Sequence, residues 1–233
     1  ENSVSFYING KFDNKWILNK TVKFLAKNIL VGQWSNNFLG SYKYNGLIDE
    51  PKIYPYARTA DQIKQDYNSR GSMSGSSVNL GVQSNTIPSP KSSLVAYWKF
   101  DENNGMSVYD SSGNNHTGTF IGTTTPTWQT GKHRTGVGFS GVNDSISLPY
   151  QPDFRNAFSV SIWFKRTTDY NQTTDIMLLS PPNAWYFYDS YNSGAIRGDV
   201  YIGGTRRAGI NVPIPFDGNW YHVVYTYDSA THI

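Results

Sequence analysis

From end to end the chain alternates short apolar, aromatic and β-branched runs with turn residues, and that rhythm confines it to an all-β sandwich or barrel. Val4–Ile8, Asn28–Trp34, Leu47–Tyr54, Leu94–Phe100 and Phe139–Leu148 read as strands. So do Phe158–Lys165, Ile176–Leu179, Trp185–Tyr188, Val200–Gly203 and Trp220–Tyr227. Asn9-Gly10 follows the first run and predicts a hairpin, because both turn positions need positive φ. Pro51 marks its own strand as an edge or as the site of a bulge. One helix interrupts the pattern: Thr59 and Gln62 form a capping box, and Ile63 and Tyr67 share a face over about two turns. So short a helix must be held by packing.

Aromatic residues make up 15% of the chain, with 17 Tyr, 12 Phe and 7 Trp, and this suits half-buried pleated surfaces. Each buried ring removes about 150–250 Å² from water, enough to build a core without staples. Trp98, Trp163 and Trp220 sit inside strand patterns and read as core. Cysteine is absent, which excludes a disulfide framework, thiolate metal sites and a cysteine nucleophile. A net charge of +3 without a dense basic run argues against nucleic acid as a partner. The apolar stretches are too short for membrane insertion. The opening Glu-Asn-Ser-Val reads as neither a signal peptide nor a natural start, so the chain is expected to be cut from a larger protein.

Residues 68–93 differ from the rest, with nine serines, three glycines and two prolines and no usable period; they read as a linker. The segments on either side resemble one family. After the linker come LVAYWKFDENNG (94–105), YDSSGNNHTGTF (109–120), GVGFSGVNDSISLP (136–149), FSVSIWFK (158–165) and WYHVVYTYD (220–228). These resemble the opening half of a laminin-G-like, concanavalin A-like jelly-roll domain in its broad bacterial and archaeal form. Before the linker, VSFYINGKF (4–12), ILVGQW (29–34) and YNGLIDEPKIYPYARTADQIKQDY (44–67) resemble its closing half. The halves stand in reverse order, 1–67 closing and 94–233 opening. Either the chain is one permuted domain whose Trp220–Tyr227 and Val4–Ile8 strands meet, or it is one period of an array whose halves complete neighbours. Each half alone would expose strand edges and a bare apolar face. The resemblance implies a two-sheet antiparallel jelly-roll sandwich with one short helix.

The same resemblance implies a non-catalytic carbohydrate-binding or adhesion module of an extracellular or cell-surface protein. Its partner would be a glycan or a surface protein. A structural repeat unit that self-associates through cut strand edges is the alternative, and a polysaccharide-degrading glycosidase stands third. Some family members bind calcium through hard oxygen ligands, and Asp49, Asp101, Asp110 and Asn114 occupy the resembling positions. Asp110 alternatively nucleates a turn and Asp49 caps local backbone. Asp49 and Glu50 cannot serve as a glycosidase pair, because neighbouring strand residues point to opposite faces. Trp185, Tyr186, Tyr188 and Tyr191, with Asn183 and Asp189, form a candidate platform for a sugar ring. Arg197, Arg206 and Arg207, with Lys165 and Arg166, form a basic group suited to acidic glycans. The four histidines suggest no triad and no metal spacing, and His222 falls in a core-type strand. Asn19, Asn115, Asn143 and Asn171 begin N-x-S/T sequons that imply surface exposure.

Overall fold

The computed structural model describes residues 2–18, 29–33, 43–69, 94–148, 150, 157–166, 176–180, 185–190, 194–202 and 205–228, with backbone alone over 176–180, 185–187, 189–190, 200–202 and 205–208. Its first elements are strands β1 (Asn2–Ile8), β2 (Lys11–Leu18), β3 (Ile29–Val31) and β4 (Asn45–Tyr54), followed by helix α1 (Ala60–Asn68). Strands β5 (Ala96–Tyr97), β6 (Ser107–Val108), β7 (Gly118–Gly122), β8 (Thr127–Thr130), β9 (Thr135–Ser140) and β10 (Asp144–Leu148) come next. The last are β11 (Phe158–Arg166), β12 (Ile176–Ser180), β13 (Trp185–Ser190), β14 (Ala195–Ile202), β15 (Thr205–Pro213) and β16 (Trp220–Asp228).

They make an antiparallel jelly-roll sandwich. The first sheet runs β2-β1-β16-β11-β4-β9-β8, with β5 beside β4; the second runs β15-β14-β13-β12-β3-β10-β7-β6. The chain's first strand lies antiparallel to its last, with Ser3 opposite Asp228 and Ile8 opposite Val223. No helix of the described residues is long and apolar enough to cross a membrane.

Local chemistry explains the elements. Asn9 and Gly10 take φ of 50° and 75°, the left-handed pair that the β1–β2 hairpin requires. That turn is tied to β16, because the Asn9 N–H donates to the His222 carbonyl at 2.8 Å and the His222 N–H donates to Asn9 Oδ1 at 3.0 Å. The capping box of α1 is complete: Gln62 N–H donates to Thr59 Oγ1 at 3.3 Å and Thr59 N–H to Gln62 Oε1 at 3.0 Å. Ile63 is fully buried, and Tyr67 stacks on Trp163 with ring centroids 5.5 Å apart. Trp163 alternates with the core residues Ile162 and Phe164, so α1 covers the face of the first sheet that turns away from the second.

Between the sheets one cluster joins both stretches of the chain. Val4, Phe6, Ile48 and Ile53 pack with Phe158, Val160, Ile162, Val223, Tyr225 and Tyr227. The second sheet contributes Ile146, Ile196, Ile210 and Val212. Phe6 meets Tyr225 edge to face, with centroids 5.5 Å apart. Trp98 and Trp163 are sealed at 0% and 3% exposure, whereas Trp220 is only half-buried.

Gly198 has no side chain because Phe6 fills that space: a Cβ built there would stand 2.3 Å from the Phe6 ring and 2.8 Å from that of Tyr225. Gly198→Ala is therefore expected to cost about 1–3 kcal/mol through overpacking. Urea denaturation checks this: the midpoint should fall with the slope unchanged. An unchanged midpoint would mean that Phe6 does not seat against β14.

Candidate functional site

Of the four residues that resemble calcium ligands, Asp110 and Asn114 serve one loop, and Asp101 lies near enough to Asp49 for its charge to help raise that carboxyl. Asp110 accepts four hydrogen bonds: from the N–H groups of Tyr97 (3.0 Å), Ser112 (2.8 Å) and His116 (3.1 Å), and from Ser112 Oγ (2.8 Å). Burial pushes its carboxyl up, but the donors from Ser112, Tyr97 and His116 outweigh it and hold the group below the ordinary carboxylate range. Asn114 acts as a donor, its Nδ2 reaching the carbonyls of Leu94 (3.0 Å) and Val95 (2.9 Å). Asp110 and Asn114 thus staple the 110–116 loop to the start of β5. Asp101 accepts from Thr135 N–H at 3.4 Å and lies 3.8 Å from the exposed Arg134 guanidinium. Among the described residues, no three of His, Asp and Glu gather as a metal centre would need.

Asp49 lies on β4 in a different environment. Its Oδ2 accepts from His133 N–H at 2.9 Å, while Oδ1 is buried without a hydrogen-bond partner. Burial, reinforced by the nearby charge of Glu50 and opposed by the His133 bond, pushes its carboxyl up to about 8. Asp49 and Glu50 do not alternate as strand neighbours should. Asp49 pairs with Trp163 and Lys52 with Ser161, so two residues of β4 oppose one of β11, and Glu50 takes φ of 54°. The bulge at Glu50-Pro51 fulfils the signal of Pro51, in a central strand rather than at an edge. It also removes the alternation argument against these carboxylates as a pair. Burial is what keeps them from a substrate: Asp49 is 0% and Glu50 2% exposed. Glu50 is further held by the Tyr97 hydroxyl and by Lys52 Nζ at 3.0 Å.

On the next two strands of the sheet, β11 and β16, Ser161 Oγ and His222 Nε2 meet at 2.8 Å, an approach that the sequence does not suggest. His222 is 1% exposed, and burial drives its imidazole down to about 3, so it is neutral and inaccessible. It packs on Trp163 at 4.9 Å and Tyr67 at 6.0 Å as part of the bed under α1.

On the second sheet, Ile196 and Gly198 face the core, so Arg197 and Asp199 point away from it. Arg197 Nε lies 3.0 Å from Asp199 Oδ1, and the Tyr188 hydroxyl donates to Asp199 Oδ2 at 2.8 Å. Tyr188 is therefore drawn into a polar trio and left 6% exposed. Of the other platform residues, Asn183 and Tyr191 lie outside the described residues, and Trp185, Tyr186 and Asp189 are placed on β13 by backbone alone. Arg166 is not free to meet a glycan: it is buried, donates to the Ile214 carbonyl at 3.1 Å and stacks over Phe216 at 4.1 Å. Asp199 escaped the sequence reading, although Arg-x-Asp on a strand places both side chains on one face.

A feature that sequence reasoning missed lies between β5 and β7. Glu102, Asn104, Gly105, Met106, Ser107 and Tyr109 line a shallow hollow of about 300 Å³. Tyr109 is 60% and Met106 52% exposed. Phe100, Asn103 and Gly105 take positive φ (57°, 56° and 74°), which fixes a tight loop. Trp128 Nε1 donates to the Gly105 carbonyl at 3.0 Å, Phe120 N–H to the Met106 carbonyl at 2.8 Å, and Tyr109 N–H to Glu102 Oε1 at 2.8 Å.

Residues 139–233 match the family model described as the concanavalin A-like lectin/glucanases superfamily. No curated protein and no solved structure matches the chain.

Asp49 and His222 give opposite pH limbs. Asp49 titrates near 3.8 unfolded and near 8 folded, so its contribution is full at low pH and is lost as pH rises through that window. His222 titrates near 6.5 unfolded and near 3 folded, so its contribution is full above that window and is lost as pH falls through it. Asp49→Asn keeps an acceptor for His133 and removes the first limb. The loss of stability between about pH 5 and about pH 8 should shrink in denaturant titrations of the variant relative to the parent. An equal loss in both proteins would show that Asp49 is not the titrating group.

Proposed function

We propose, from the match of residues 139–233 to the concanavalin A-like lectin/glucanases superfamily, that the chain is a non-catalytic carbohydrate-binding module of an adhesive, extracellular protein. The observation that carries the proposal is the hollow beside Tyr109. A pyranose ring has one apolar face and a rim of hydroxyls. An exposed aromatic ring with a thioether beside it suits the face, and Glu102, Asn104 and Ser107 suit the rim. Its volume, about 300 Å³, is at the small end of ligand sites and fits one sugar unit. The hydrogen bonds that pin the loop mean that little ordering is left for binding to impose. Glu102 is the one carboxylate lining the hollow, while glycoside hydrolysis needs two. Asp49 and Glu50, the adjacent pair, are sealed elsewhere.

In this reading residues 1–67 supply the closing half of one permuted domain and 94–233 its opening half. Trp185, Tyr186, Tyr191, Asn183 and Asp189 stay in the proposal as a second candidate platform, from which Tyr188 is drawn off by its bond to Asp199.

A glycan array, followed by titration of intrinsic tryptophan fluorescence, tests the proposal; Trp128, bonded to Gly105, stands beside the hollow as reporter. Tyr109→Ala should weaken binding of the captured glycan by roughly tenfold while leaving the melting temperature unchanged. Silence across the array would remove the glycan reading altogether. Undiminished binding by the variant would move the site away from the hollow.

A further inference from the structure

We propose that Asn104 is a site of spontaneous deamidation, which makes the hollow more acidic as the protein ages. The sequence holds three Asn-Gly pairs: Asn9-Gly10, Asn45-Gly46 and Asn104-Gly105. In such a pair the glycine nitrogen, with no Cβ beside it, can approach the asparagine Cγ closely. The reaction needs an amide side chain free to turn, a glycine N–H that no partner holds, and room for a ring. The fold withholds these conditions from the first two pairs. Asn9 Oδ1 accepts from the His222 N–H at 3.0 Å, and Gly10 is buried, with Tyr67 only 3.0 Å from where a Cβ would stand. Asn45 and Gly46 lie within β4, opposite Ser140 and Phe139 of β9, and Gly46 also stands opposite Arg166 of β11. The space around Gly46 is full: a Cβ there would meet the Lys165 carbonyl at 2.4 Å.

The third pair meets every condition. Asn104 and Gly105 are both exposed, and a Cβ built on Gly105 would touch nothing within 4 Å. Among the described residues, neither the Asn104 side chain nor the Gly105 N–H makes a hydrogen bond. The loop is pinned through the Gly105 and Met106 carbonyls and the Tyr109 N–H, none of which takes part in the reaction. The Gly105 nitrogen attacks Asn104 Cγ. A new N–C bond forms as the Cγ–Nδ2 bond breaks, and ammonia leaves with the Gly105 proton. Water then adds to either carbonyl of the resulting succinimide, and the ring C–N bond at that carbonyl breaks. Opening at Cγ yields aspartate on the normal backbone; opening at the other carbonyl yields isoaspartate, with the main chain rerouted through Cβ. Water is the co-reactant, and nothing is oxidised or reduced. Either product sets a second carboxylate beside Glu102 in the lining of the hollow. The inference does not depend on the glycan reading, because the reaction needs no ligand.

Peptide mapping by mass spectrometry tests it, on the full chain kept in a mildly alkaline buffer, folded and in urea. In the folded chain the peptide carrying Asn104 should exchange amide for acid at least about tenfold faster than those carrying Asn9 and Asn45, which must first open locally. In urea the three rates should converge to within about threefold, because no fold is left to protect any of them. Asn104→Gln, whose longer side chain closes the ring poorly, should keep its amide in both states. A folded chain that retains the Asn104 amide overturns the inference, as does one in which Asn9 or Asn45 converts as fast. Rates that stay apart in urea overturn it too, since local sequence rather than the fold would then set the order.

Discussion

The pairing of β1 with β16 is the contact on which the sandwich rests. Strand β16 is buried from His222 to Tyr227, with Val223, Tyr225 and Tyr227 toward the second sheet and His222, Val224 and Thr226 toward the other face. Covered on both faces, it has no water to satisfy its backbone, so both of its edges must find strands. Strand β11 takes one edge and β1 the other. The two partners come from distant parts of the sequence, and β1 brings Val4 and Phe6 with it into the core. One pairing therefore completes a hydrogen-bond ladder and an apolar cluster together. The Asn9-Gly10 turn bonds back to His222 and fixes where β2 begins, and so where the sheet ends.

Strand β4 carries the opposite kind of constraint. It places Asp49, Glu50 and Lys52 where water cannot reach them. A buried ion pair offers little net stability over an apolar replacement, yet losing one partner costs about 3–5 kcal/mol. Glu50 with Lys52 and Tyr97, and Arg58 with Asp66 and Tyr54, consequently act as devices of geometry. The first set holds β5 against the bulge, and the second holds α1 over β4. Asp49 is left over and adapts by keeping its proton. The bulge is what lets Asp49 and Lys52 share the α1 side of the sheet despite their odd spacing.

The local features were legible because their chemistry is local. Asn9-Gly10, the Thr59–Gln62 box, the Pro51 irregularity and the strand runs each involve residues within a few positions, and the all-β class follows from them. Contacts that depend on register were not legible. Ser161 meets His222 across 61 residues and Asp49 meets His133 across 84, and a shift of one residue in either strand would separate them. The strict alternation assumed for Asp49 and Glu50 failed because a bulge suspends the rule on which it rests. Asp110 and Asn114 look alike as ligands or as turn formers in sequence; in the structure both hydrogen-bond in and around the turn. The hollow at Tyr109 escaped because its signal, a methionine and a tyrosine flanking a glycine-bearing loop, falls between strands, where no period exists to read.

Aromatic content by itself therefore says little about where this protein meets others. The fold absorbs most of the described rings: Phe6, Phe158, Tyr225 and Tyr227 between the sheets, and Trp163 and Tyr67 under the helix side. Tyr188 looks like a platform residue and is instead held down on the outer face of its sheet by Asp199 and left 6% exposed. The exceptions are few and fall in two places, Tyr109 on a pinned loop and Phe12 with Trp16 on a sheet edge. Keeping a large ring in water forgoes the burial that drives folding, so selection for stability alone would not place one there. The two places differ in kind, a concave loop with polar neighbours and an open strand at the edge of the first sheet.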